Sequence, residues 1–187
     1  SLSNALNGRE RMRGVIFAAV AVGWAVALPV AADTIELADL DLTSMSVGDG
    51  QVRVDANALG DPIKIGGENF AKGVGTHAPS RYDLEVTAGE CLSFSARVGL
   101  DNSYPAARAG TVQFRVRADG RPVASSSTLR FGDKVVELKA DLRGAKVIGL
   151  EVSDTGDDVA NDIAAWIDAR FEVTPGTKLS PLNPQNE

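Results

Sequence analysis

With 187 residues, 44% of them hydrophobic and 24% charged, the chain is long enough for one ordinary globular domain and too apolar to be disordered throughout. Its net charge of -6 comes without any basic run or stripe, which argues against a nucleic-acid partner. The single cysteine, Cys91, excludes an intramolecular disulfide, and together with the single histidine, His77, it cannot build a usual zinc site.

The N-terminus reads as a targeting segment. Arg9, Arg11 and Arg13 precede an apolar run from Val15 to Leu28, and Val30-Ala31-Ala32 supplies small residues beyond it. This is the layout of a secretory signal peptide with Met12 as its natural start. Residues 1–32 are therefore expected to be an upstream extension plus a signal, and the protein to be exported to the periplasm, cell surface or medium. The alternative is a single membrane anchor, but the run is short for a span and Pro29 follows it directly. No stable membrane insertion is expected once the signal is cut. Asp33 stands where a lipid-anchored bacterial protein needs a cysteine.

Residues 33–173 read as all-β, with period-two alternation bounded by turn residues. In Arg81–Val86, Tyr82, Leu84 and Val86 share a side. In Cys91–Val98, Leu92, Phe94, Ala96 and Val98 face one way, and Cys91, Ser93, Ser95 and Arg97 the other. In Thr111–Ala118, Val112, Phe114 and Val116 face inward. Asp119-Gly120 closes a tight hairpin, and Val123 opens the return strand. Val135–Ala140 and Lys146–Val152 follow, joined by Asp141-Leu142-Arg143-Gly144. In Ala164–Val173, Ile167, Ala169, Phe171 and Val173 are expected on one face, and Trp166, Asp168, Arg170 and Glu172 on the other. Many short strands at this spacing, with no sustained helical pattern, predict an antiparallel β-sandwich or jelly roll. Residues 174–187 carry three prolines and little apolar material, and are expected to be a disordered tail or linker.

Several pieces of this chain fall in a specific order. Leu37-Ala38-Asp39-Leu40 comes first, then Pro62–Ser80 with its Gly-Thr-His-Ala-Pro-Ser turn around His77. Phe94–Asp101 and Thr111–Gly120 follow, then Asp154-Thr155-Gly156-Asp157, Asp162 and Trp166-Ile167-Asp168-Ala169. In that order and spacing they resemble the NPCBM domain, a carbohydrate-binding module usually attached to glycoside hydrolases. The resemblance runs from about Leu37 to Phe171. It implies a sandwich similar to the galactose-binding, discoidin-like jelly roll, which binds galactose-type glycans without cutting them. It also implies a glycoside hydrolase or another exported protein as partner. The family often has a histidine directly after the aspartate at Asp162, where this chain has Ile163.

Five residues are candidates for sugar contact. His77 on its turn could hydrogen-bond hydroxyls, or could tie the turn to a neighbouring strand. Asp101, Asn102 and Tyr104 lie in a loop after a strand. There the two polar side chains could bond hydroxyls while the tyrosine offers a flat platform. The other reading is an Asx-type turn with a solvated tyrosine. Trp166 is either a second platform or a core tryptophan. Asp39 or Asp41 near the first strand could meet Glu172 near the last, which makes a structural Ca2+ the one cofactor to consider. Asp154, Asp157, Asp158 and Asp162 form an acidic loop that either binds calcium or is simply solvated.

Enzyme readings fail by absence. No Gly-x-Ser-x-Gly elbow is present for a serine hydrolase. Cys91 reads as a small buried thiol rather than a nucleophile. The expectation is an exported, noncatalytic carbohydrate-binding module that binds glycan through its end loops. The alternative is a structural or protein-interaction sandwich without a sugar site, which Ile163 and the few aromatic residues favour.

Overall fold

Apolar and polar positions that alternate along the chain become the two faces of paired sheets. The computed structural model describes residues 31–104, 109–156 and 160–182. One sheet is built from β11 (Val136–Asp141), β7 (Cys91–Leu100), β13 (Ile163–Val173), β5 (Val74–His77) and β2 (Arg53–Val54) in that order, with β1 (Asp33–Glu36) also on β13. The other runs β10 (Leu129–Arg130), β8 (Thr111–Ala118), β12 (Val147–Ser153), β6 (Ser80–Thr87) and β14 (Lys178–Pro181), with β9 (Arg121–Ser125) on β8. The paired strands are antiparallel. A small hairpin of β3 (Ile63–Ile65) and β4 (Glu68–Phe70) stands apart. This is the antiparallel sandwich expected from the alternation. No helix among the described residues is long and apolar enough to cross a membrane.

The core lies between the sheets. Tyr82, Leu84, Val112, Phe114, Val116, Ile148 and Leu150 enter it from one side, and Phe94, Val98, Trp166, Phe171 and Val173 from the other. The Trp166 indole meets Phe114 edge-on at 4.8 Å between ring centroids and Phe94 at 5.8 Å. Edge-to-face rings of this kind add about 0.5–1.5 kcal/mol beyond their buried area. Asp119-Gly120 closes β8 onto β9 with both residues at positive φ (50° and 80°), the two-residue turn that suits a twisted hairpin.

The alternation expected for β13 breaks in the middle. Pairing with β7 shifts register between Ile167 and Arg170, and Asp168 sits at φ 50°. This is a bulge, an extra residue that swaps the faces of everything beyond it. Trp166 therefore shares the main core with Phe171, while Ile167 points to the opposite face. There Ile63, Ile65 and Phe70 of the β3–β4 hairpin cover it, making a second small core. Above the bulge β13 pairs with β5, and below it with β1, so residues 167–169 have neither strand beside them.

Two further expectations are corrected. A shift opposite Glu172 and Val173 turns Cys91 into the core and leaves Leu92 half-buried, so Cys91 and Leu92 exchange roles. The segment from Thr174 is not a loose tail up to Leu182. The Glu90 amide donates to the hydroxyls of Thr174 (2.9 Å) and Thr177 (3.0 Å), which folds the chain back. Lys178–Pro181 then pairs with β6 and Leu179 is buried. Backbone pairing at an open sheet edge outweighs a proline-rich composition, and Pro181 stands at the strand's end, where a missing N–H costs little. The extension and signal peptide expected over residues 1–32 lie outside the described residues as far as residue 30, as does the end of the tail, 183–187.

Truncating the central tryptophan, Trp166→Ala, should lower unfolding free energy by about 3–5 kcal/mol, read from urea midpoints. Burial pushes the Cys91 thiol up to about 12. A thiol-specific reagent at mildly alkaline pH should therefore leave the folded protein unlabelled and react with one thiol per chain once urea unfolds it.

Candidate functional site

The end of the sandwich where β5, β7 and β12 terminate is held by buried polar groups. Asp162 is fully buried. Its backbone carbonyl accepts from the Ala78 amide (2.9 Å) and its carboxylate from the Thr111 amide (2.8 Å). The next carbonyl, of Ile163, accepts from the Asp101 amide (2.7 Å). One short stretch thus ties the starts or ends of three loops.

A second network joins the loop before β3 to the loop after β7. Asn57, fully buried, accepts from the amides of Leu59 and Asp61, both at 3.0 Å. Its side-chain NH2 donates to Ser103 Oγ at 2.9 Å and lies 3.4 Å from Asp101 Oδ1. Asp101 also accepts from the amides of Lys64 and Ser103 (both 2.9 Å) and from the Ser103 hydroxyl. The Asn102 amide donates to Lys64 O at 2.7 Å. Each buried charge-assisted contact of this type contributes about 1.5–3 kcal/mol, so the two loops behave as one unit. Two large side chains emerge from it into solvent: Leu59, 44% exposed, and Tyr104, 49% exposed.

The five sugar-contact candidates are not gathered in one place. Tyr104 is open to a ligand. Asp101 is wholly buried, and its carboxylate holds the loop that carries Tyr104. Asn102 is half-buried, and its Oδ1 has no hydrogen-bond partner among the described residues. His77 is buried with its Nδ1 2.7 Å from Ala78 O. A carbonyl can only accept, so Nδ1 carries the proton, and the ring is held within its own turn, against the next residue's carbonyl. Trp166 is 1% exposed and belongs to the core, its ring packed against Phe94 and Phe114, so it is not a platform beside Tyr104. Asn57 was missed in the sequence, although Asn-Ala-Leu-Gly-Asp is an Asx-turn signal. Ile163, which replaces the family's frequent histidine, is itself buried in β13 opposite His77.

Two of the cation candidates accept from neighbouring threonines. Asp41 accepts from the Thr43 hydroxyl (2.6 Å) and amide (3.0 Å), which hold its carboxyl below the ordinary value. Glu172 accepts from the Thr34 hydroxyl, and Asp39 lies at a separate cleft. Among the described residues no three His, Cys, Asp or Glu side chains assemble as a metal site. In the acidic loop, Asp154 caps the Gly156 amide at 3.0 Å, while Asp157 and Asp158 lie outside the described residues.

The chain matches known proteins over most of this sandwich. An alpha-1,3-galactosidase B from Akkermansia muciniphila is 30% identical over 128 residues, 67% of this chain and 16% of that protein. The chain spans well under two thirds of the curated relatives it matches, 8% of one and 16% of the other. The structure of CBM51-2 in complex with GlcNAc and INT domains from Clostridium perfringens ZmpB superposes with a TM-score of 0.67 at 30% identity, covering 75% of this chain and 31% of that one. CBM51 from Clostridium perfringens GH95 in complex with methyl-galactose superposes with a TM-score of 0.62 at 27% identity, covering 74% of this chain and 99% of that one. The NPCBM/NEW2 domain profile matches residues 33–172, and the chain belongs to that family of noncatalytic carbohydrate-binding modules.

Proposed function

We propose that this module binds a galactose-type sugar at the loop end, with Tyr104 as the platform. The observation that carries the reading is an aromatic ring held in solvent next to Ser103, whose hydroxyl accepts from Asn57 and whose amide donates to Asp101. A sugar presents an apolar C–H face that stacks on such a ring, and the pinned loop loses little freedom on binding. Leu59 is a second exposed apolar side chain of the same pinned unit. Relatives solved with methyl-galactose and with GlcNAc support the ligand class. The signal-like N-terminus supports export, and the resemblance to hydrolase-borne modules supports a glycoside hydrolase as partner. A shallow contact to one sugar residue implies weak binding, roughly micromolar to millimolar.

The other reading is an interaction module that has kept the sandwich and lost the sugar site. The burial of His77, Asp101 and Trp166, with Ile163 in the histidine's place, favours it.

Calorimetric titration with methyl-galactoside should show saturable binding, and Tyr104→Ala should weaken it at least about tenfold, the scale of one lost stacking contact, while leaving the melting temperature unchanged. Asn57→Ala should weaken binding and also cost about 1–3 kcal/mol of stability, because Asp101 and two amides lose a buried partner. Absence of binding to methyl-galactoside and to every member of a glycan panel at millimolar concentration would rule out the sugar reading and leave the interaction module.

A further inference from the structure

The bulge in β13 opens a second concavity. Because β5 stops pairing at Trp166 and β1 begins pairing at Arg170, a cleft of about 370 Å3 lies between the two strands. Its volume falls within the range of small-ligand sites. Buried Leu37, Val74, Trp166 and Ala169 line its apolar side. Gly73 belongs to the same wall, and a Cβ there would press on Ile167 Cδ1, the Trp166 carbonyl and Ile63 Cδ1, so no larger residue fits at this position without the second core giving way. The rim is polar. Lys72 Nζ sits 2.8 Å from Asp55 Oδ2, and the Gly73 amide donates to Asp55 Oδ1 at 3.2 Å. Asp168, the bulge residue, is paired with Arg97. Glu36 and Asp39 complete the rim, and neither has a cation within ion-pair distance among the described residues.

We propose that this cleft is a second ligand site, distinct from the Tyr104 end, that takes a hexose unit carrying a protonated amine. Val54, 46% exposed, offers an apolar side chain at the mouth to the C–H face of a sugar ring, above the buried floor. The solvent-exposed Lys72–Asp55 pair offers both a donor and an acceptor to hydroxyls. Glu36 and Asp39 leave a surplus of negative charge, which attracts an ammonium and repels a uronate or sialate carboxylate.

The test is a 15N–1H NMR titration of the full chain at mildly acidic pH with D-glucosamine, D-glucuronate and ethanolamine. Glucosamine should produce saturable shifts at the amides of Asp55, Gly73, Val74 and Ala169, and Tyr104→Ala should leave them unchanged. The double change Glu36→Gln with Asp39→Asn should weaken them at least about tenfold, and Val54→Trp, which fills the cleft from outside, should abolish them while both variants keep the parent melting temperature. The proposal is overturned if no saturable shift occurs, if the shifts centre on residues 57–61 and 101–104, or if Tyr104→Ala removes them. It is equally overturned if glucuronate, or ethanolamine with its charge but no ring, moves the same amides as strongly. Loss of methyl-galactoside binding in Tyr104→Ala with the glucosamine shifts intact separates this site from the loop-end one.

Discussion

β13 carries a surplus of residues over β7 between Ile167 and Arg170, and the sandwich is organised around that surplus. A strand with strict alternation could face only one core. The slip lets this one strand send Ala164, Trp166, Ala169, Phe171 and Val173 between the sheets and still turn Ala165 and Ile167 outward. The outward pair is what the β3–β4 hairpin packs on. Asp168 accepts an unfavourable φ so that both halves can be satisfied, and Arg97, stacked 5.2 Å over the Phe70 ring, holds its carboxylate. Such strain, on the order of 1–3 kcal/mol, persists only where packing on both sides demands it.

The hairpin that rests on this outward face carries its own loops into place. Asn57 and Lys64 flank the entry to β3, and both bond to the segment after β7. Packing on one face of the sheet thereby sets the position of Tyr104 at the end. Polar groups that might have touched a ligand serve instead as internal struts. Asp101 and His77 are the plainest cases: both are buried, and each satisfies backbone groups of the turn it belongs to.

The strands whose burial alternates without interruption were readable from the sequence. β6 and β8 show Tyr82, Leu84, Val86 and Val112, Phe114, Val116 inside, as their spacing requires. The β8–β9 turn was readable too, because Asp-Gly is chemistry for positive φ. β13 was not, since Ala-Trp-Ile-Asp-Ala-Arg-Phe looks like one unbroken alternation, and a bulge exists only relative to a partner strand. Tyr104 was legible as an exposed aromatic after a strand. Asn57 was not, because its meaning comes from Asp101 and Ser103, 44 and 46 residues away. The C-terminal strand was hidden by its prolines, since no local pattern announces that β6 has a free edge.

That last strand has a practical consequence. β14 occupies the hydrogen-bonding rim of β6 and places Leu179 over the core. A polypeptide trimmed at Val173, where alternation in the sequence stops, would leave that rim bare. Bare rims of this length recruit a neighbouring molecule's backbone, so the shortened protein would self-associate through its second sheet. Expression boundaries for this module belong beyond Leu182.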